Sequence, residues 1–177
     1  MKELGTAASD FELRDVVTGK VVSRQDVTGP KGMLVMFICR HCPFVKHVQE
    51  ELAKIGRDYT GRGVGIVAIS ANDVASHPED SPTKLAYQAL ELQFNFPYLF
   101  DESQDVARAY DAQCTPDFFL YDAHARLVYR GQLDNSRPGN DIPVTGSDLR
   151  AALDAVIAGR TVSPDQRPAI GCNIKWR

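Results

Sequence analysis

The sequence predicts an α/β fold, and two observations carry that expectation. Met33–Ile38 and Val64–Ser70 are unbroken apolar runs, the pattern of strands buried on both faces. A single amphipathic stretch lies between them, so strand, helix and strand form a βαβ unit with its two strands parallel. Cys39 and Cys42 stand where the first strand gives way to the helix.

Taken in order, Phe11–Leu13 and Lys20–Val22 read as a hairpin around Thr18-Gly19. After Met33–Ile38 comes the first long helix. Val45, Val48, Leu52, Ile55 and Tyr59 recur at alternating steps of three and four, which is one helical face. Lys46, Gln49, Glu50, Ala53 and Lys54 fill the other side, and Gly61 stops the helix. Pro43 sets its start. Proline suits the first helical position, where no amide donor is needed, and fits poorly further in. Cys42 is therefore expected at or next to the N-cap, with Cys39 before the helix at the strand end.

Val64–Ser70 is followed by a polar loop, Ala71 to Ser81. Ser81-Pro82 caps and opens a second helix with Leu85, Ala89 and Leu92 on one face. Phe96–Phe100 is a short strand. Asp101 to Tyr110 is a short helix, with Asp101 and Gln104 at capping-box spacing. Phe118–Tyr121 and Leu127–Tyr129 pair as a hairpin across Asp122–Arg126. Asp134 to Thr145 is a long loop rich in Pro, Gly and Asn. Ser147 caps a last helix with Leu149, Leu153, Val156 and Ile157 inward, ended by Gly159. From Thr161 a tail with little periodicity follows, and Trp176 suggests that this tail is anchored.

A chain of 177 residues is expected to form one domain, spanning 1–177, with a full core. With 44% hydrophobic and 24% charged residues it is neither disordered nor membrane-like in composition. A net charge of −3 and the lack of a basic run argue against a nucleic-acid partner. No stretch approaches the roughly 18 apolar residues of a membrane span, and no apolar leader is evident, so a soluble, cytoplasmic protein with no membrane partner is expected. The 4 cysteines are too few for a secreted disulfide scaffold.

Their placement points to redox chemistry instead. A thiol at a helix N-terminus meets free backbone N–H groups and the positive end of the dipole, both of which favour the thiolate. The thiolate is the nucleophile of disulfide and peroxide chemistry. Arg40 and His41, as potential cations beside it, should lower its pKa further. The competing readings are two inert buried thiols and a metal site built from Cys39, Cys42, His41 and His47. A structural zinc wants four converging ligands. No second C-x-x-C exists here and His41 sits inside the pair, so neither a metal nor a cofactor is expected. Cys114 and Cys172 are further candidates to resolve a mixed disulfide, or merely pack. His77, His124 and Arg137 read as surface residues.

Several segments resemble the thioredoxin-like superfamily. Without gaps, the strand before Cys39 falls on that family's central strand, and His41-Cys42-Pro-Phe-Val-Lys46 on its Trp-Cys-x-x-Cys-Lys. Cys42 then takes the attacking position and Val45 the second, so that Cys39-Arg-His-Cys42 is a Cys-x-x-Cys shifted one step upstream. An alignment with a three-residue gap instead makes Cys39 the attacker. It resembles the Cys-Gly-His-Cys of protein disulfide isomerases, and leaves Pro43 one residue deeper in the helix. Cys114-Thr-Pro-Asp-Phe-Phe-Leu-Tyr121 resembles the family's cis-proline segment, which implies a substrate-docking role for Thr115 and Pro116. The N-terminal Gly5–Leu13 with Thr18-Gly19 is similar to the redoxin hairpin. The ending Gly171-Cys-Asn-Ile-Lys-Trp176 resembles a bacterial peroxiredoxin-like group related to AhpC/TSA proteins. Peroxiredoxins carry Pro and Thr or Ser seven and three residues before the peroxidatic cysteine. Counting back from Cys42 gives Val35 and Cys39, so that triad is missing.

The resemblance implies a thioredoxin-like domain: a central mixed sheet flanked by helices, with an N-terminal β-hairpin and a docked C-terminal tail. The expected activity is thiol–disulfide oxidoreduction on protein or small-molecule disulfides, with a thiol reductant as partner. Cys42 attacks, Cys39 resolves, Arg40 and His41 tune, and Thr115-Pro116 docks substrate. A thiol peroxidase and a redox-inactive binding module are the alternatives. Nothing in the sequence sets the oligomeric state.

Overall fold

The computed structural model describes residues 1–177. In chain order its elements are β1 (Glu12–Asp15), β2 (Val21–Ser23), α1 (Arg24–Val27), β3 (Gly32–Phe37), α2 (Pro43–Tyr59), β4 (Val64–Ser70), α3 (Pro82–Leu92), β5 (Tyr98–Phe100), α4 (Asp105–Tyr110), β6 (Cys114–Thr115), β7 (Asp117–Asp122), β8 (Leu127–Gly131), α5 (Ser147–Ile157) and β9 (Cys172–Asn173). A mixed 7-stranded sheet runs in the order β2-β1-β5-β4-β3-β7-β8. β3 lies parallel to β4 and antiparallel to β7, which puts it at the centre.

The apolar runs explain that centre. Every residue of β3 is buried, and alternate side chains serve different cores. Leu34 and Met36 join the cluster formed with Val45, Val48 and Leu52 of α2, Leu85 and Ala89 of α3, and Leu149 and Leu153 of α5. Met33, Val35 and Phe37 point the other way, onto Phe11, Tyr110 of α4 and Ile174 near the C-terminus. Helices therefore cover both faces, as expected of a strand pair with no polar side.

Several boundaries follow side-chain chemistry closely. Cys42 is the N-cap of α2 and Pro43 its first residue. The Ser81 hydroxyl accepts the Lys84 amide at the head of α3. The expected capping box at Asp101 does not form. The helix begins only at Asp105, with Gln104 as a left-handed N-cap, because the buried Asp101 carboxylate reaches past it to the Ala107 amide at 2.8 Å. Ser147 is the first residue of α5 and not its cap; Gly146 caps it at φ 69°, and Asp134 accepts the Thr145 and Gly146 amides. The sequence analysis missed α1, whose capping box is made by Ser23 and Asp26. The polar loop after β4 contains a short 3-10 turn, Pro78–Asp80.

The C-terminal segment is docked. β9 pairs with β6 as a separate 2-stranded sheet, with Thr115 opposite Cys172 and Cys114 opposite Asn173. Trp176 is not the anchor, being 42% exposed with Arg108 over its ring. Ile174 is, at 2% exposed, and the Lys175 amide is held by Asn72 at 2.9 Å.

Gly65 of β4 lets the turn after α1 lie against the sheet, since a Cβ there would run into the Val27 carbonyl oxygen. Gly65→Ala should therefore destabilise the fold by about 1–3 kcal/mol, the usual cost of overpacking. The urea midpoint should fall at unchanged slope.

Candidate active site

The site sits where β3 ends and α2 begins. The Ile38 amide still bonds the Ile69 carbonyl at 3.0 Å, and the chain then turns through Cys39-Arg40-His41-Cys42. At the N-cap the Cys42 carbonyl accepts the Val45 and Lys46 amides at 3.1 and 3.0 Å. Both thiols are fully buried and both converge on one residue of β6. Cys39 Sγ lies 3.4 Å from Thr115 Oγ1, and the Cys42 thiol donates to the Thr115 carbonyl at 3.4 Å. The Thr115-Pro116 peptide bond is cis, as the resemblance implied.

The two thiols are electrostatically unequal. A hydrogen bond from Cys39 holds the Cys42 thiol well below the ordinary cysteine range, and Cys172, the Val45 amide and Thr115 add to it against the opposing effect of burial. Cys39 moves in the opposite direction. Its hydrogen bond to Cys42 raises it most, followed by burial and the charge of Asp80. The two thiols are thus coupled, with Cys42 held low and Cys39 held high.

Asp80 is the group that sequence reasoning missed. Read as part of a polar loop, it is fully buried beneath the turn. Its Oδ1 accepts the Arg40 amide at 2.8 Å and the His41 amide at 3.0 Å. Its Oδ2 meets the His41 ring at Nδ1 and accepts Asn72 Nδ2 at 3.0 Å. A signal for it did exist. Parallel pairing of β3 and β4 brings the loops after both strands to the same sheet end, so polar residues of Ala71–Ser81 had to lie near the cysteines.

The two side chains expected to tune the thiolate have partners of their own: the Arg40 guanidinium pairs with Glu79 and His41 with Asp80. His77, expected in solvent, is half-buried with its ring centroid 5.0 Å from that of His41.

Potential ligand atoms of Cys39, His41 and Asp80 lie within 4.8 Å of one another. The lone pairs of Asp80 are already taken by the bonds just described, and His47 turns away to Ser136 at 2.7 Å. The donor set is committed to the turn and does not fit a metal.

The other cysteines separate cleanly. Cys172, on β9, is half-buried and packs against the core cluster that contains Cys42. Burial and Cys42 together push it up to about 11. Cys114 makes no such contact. Its thiol faces the Pro116 carbonyl at 3.7 Å, and burial, with the Asp117 charge, pushes it up to about 12. It lines a separate depression of about 220 Å³ with Asp117 and Arg130. Arg137, expected at the surface, folds inward onto the Asp134 and Ser136 carbonyls and Gln132. It borders a cavity of about 20 Å³ beside Pro116 and Phe44.

Comparison with known proteins places this site in context. Residues 4–130 match the profile of the AhpC/TSA family. A conserved protein from Geobacillus kaustophilus is 54% identical, with a TM-score of 0.98 over 100% of this chain and 94% of that one. The thiol-disulfide oxidoreductase ResA of Halalkalibacterium halodurans is 26% identical over 124 residues, 70% of this chain. The chain spans only 65% of the length of that curated relative. A secreted Mycobacterium tuberculosis disulfide oxidoreductase, homologous to E. coli DsbE, is 15% identical with a TM-score of 0.61, covering 84% of this chain and 95% of that one. That last likeness is one of fold: the mixed sheet flanked by helices is thioredoxin-like.

Two measurements check the site. Thiolate absorbance in the ultraviolet, which needs no reagent access, should show one thiol titrating below the roughly 8.5 of free cysteine. Cys39→Ala should move that midpoint upward by removing the main donor, whereas Arg40→Ala should leave it in place. Asp80→Ala should lose at least about 2 kcal/mol in denaturant unfolding, because buried amides of the turn are left without an acceptor.

Proposed function

The chain belongs to the AhpC/TSA family, and from that membership and the thiol geometry we propose that it is a thiol–disulfide oxidoreductase in which Cys42 attacks and Cys39 resolves. The observation that carries this reading is the placement of the two thiols. Cys42 stands at the N-cap of α2, and both sulfurs meet Thr115.

The chemistry follows from that arrangement. The Cys42 thiolate attacks one sulfur of a substrate disulfide, and the other sulfur leaves as a thiolate and takes a proton from solvent. Once Cys42 is covalently bound it has no charge, so the hydrogen bond that held the proton on Cys39 disappears. Cys39 can then ionise and displace the substrate's second sulfur. Thr115, touching both sulfurs, is the docking residue beside cis-Pro116. Because the reduced form is stabilised, the pair should be comparatively oxidising. The substrate is a protein or low-molecular-weight disulfide, and a thiol reductant regenerates the enzyme.

Peroxide reduction is the weaker reading. The position seven before Cys42 is Val35, whose side chain faces the opposite core. The position three before is Cys39 itself. Neither offers the hydroxyl or proline of a peroxidatic site.

In turnover assays with oxidised glutathione and with hydrogen peroxide, the disulfide should be the faster substrate, and Cys42→Ser should reduce its turnover to the uncatalysed rate. If Cys42→Ser still releases one thiol per protein while Cys39→Ser releases none, the roles of the two cysteines are reversed. Efficient peroxide turnover would favour the peroxidase, with Arg130 and Arg137 the first residues to test for an anion contact.

A further inference from the structure

Cys42 has a second sulfur neighbour that the reaction above does not use. β9 brings Cys172 opposite Thr115, the residue whose carbonyl meets Cys42. Cys172 packs against the core cluster that contains both Cys39 and Cys42. Its position is held on both sides. Before it, Gly171 lies so close to β6 that a Cβ would run into the Thr115 carbonyl oxygen. After it, Ile174 is buried, and the Lys175 carbonyl accepts the Asp73 amide at 2.8 Å and Gln104 Nε2 at 2.9 Å.

We propose that Cys172 is a second resolving thiol for Cys42, and that the resulting Cys42–Cys172 disulfide fastens β9 over the site. The inference rests on the reading of Cys42 as the attacking thiol. In the first step the Cys42 thiolate attacks a substrate disulfide, forming a mixed disulfide and releasing one substrate thiol. In the second, the Cys172 thiol gives its proton to solvent and its sulfur attacks the Cys42 sulfur. The Cys42–substrate bond breaks as the Cys42–Cys172 bond forms, and the second substrate thiolate leaves and is protonated. Two protein thiols are oxidised and one substrate disulfide is reduced to two thiols.

The two resolving thiols differ in access. Cys39 is fully buried beside the Asp80 charge, whereas Cys172 is half-buried with Lys175 lowering its pKa. Part of what holds the proton on Cys172 is Cys42 itself, and this contribution goes when Cys42 is bound to substrate. Because Cys39 and Cys42 are both fully buried, a substrate reaches Cys42 only after some cover moves. β9 is a 2-residue strand paired with β6 alone.

The experiment treats reduced protein with oxidised glutathione and maps peptides by mass without reduction. Cys39→Ser should release two glutathione thiols per protein and yield a Cys42–Cys172 peptide. Cys39→Ser with Cys172→Ser should release one and retain glutathione on Cys42. Cys39→Ser with Gly171→Ala keeps both thiols but forces β9 from β6, and should also retain it. In otherwise unaltered protein, both Cys39–Cys42 and Cys42–Cys172 peptides should appear, and Cys172→Ser should remove only the second. Glutathione held on Cys42 in Cys39→Ser, with no Cys42–Cys172 peptide in either protein, overturns this inference and leaves the proposed function standing. No release of thiol by Cys39→Ser, with unaltered protein carrying glutathione on Cys39, overturns the assignment of Cys42 as attacker and this inference with it.

Discussion

The Asp80 carboxylate accepts the backbone N–H groups of Arg40 and His41 and meets the His41 ring, so the turn between β3 and α2 is held from beneath by one buried group. A turn of this kind directs amides into the protein where water cannot satisfy them, and each would otherwise cost the desolvation of an unpaired donor. Gln88 of α3 completes the support by donating to the Cys39 carbonyl at 3.2 Å, and is itself oriented by the Tyr98 hydroxyl at 2.9 Å. The positions of the two sulfurs therefore depend on the loop after β4 and on α3, not only on their own segment. Burying the carboxylate is tolerable because its lone pairs are fully used.

The same group adds to the difference between the two thiols. After the Cys42 contact and burial, its negative charge is the next contribution that raises Cys39. The helix start lies on the Cys42 side, where the dipole favours negative charge. Two chemically identical side chains separated by two residues are thus made unequal by what surrounds them. Arg40 and His41 contribute mainly by pairing with Glu79 and Asp80, which limits the negative charge at the turn. The carboxylates that pair with these cations come from elsewhere in the chain, and nothing beside the cysteines in the sequence signals them.

What was legible in the sequence follows the range of the interactions. The start of α2 was readable from Pro43, and β3 and β4 from their unbroken apolar runs, because these signals are local and strong. The register of β6 with β9 was not, since two-residue strands in an aperiodic tail carry no pattern. Asp80 was hidden for a related reason: an aspartate in a polar loop looks solvated until the parallel pairing of β3 with β4 places that loop under the thiols. Capping at Asp101 and Ser147 failed where a carboxylate had a better use at a distance. Asp101 reaches Ala107, and Asp134 supplies the acceptor that precedes α5. Trp176 misled because aromatic size suggests an anchor, whereas Ile174 occupies the side of the tail that meets the core.

The tail finally bears on why the site is closed in the reduced state. β6 lies apart from the main sheet and pairs only with β9. Without β9, its free edge would present unpaired backbone groups beside the Cys42 thiol, open to any extended chain. Covering that edge with a segment of the same chain protects it, but a cover held too strongly would also exclude substrate. The observed arrangement balances these demands through its length. Ile174 and Lys175 hold the far end, while the part over the thiols is only Cys172 and Asn173. Short strands open at small free-energy cost, so a cover of this length can shield Cys42 and still open.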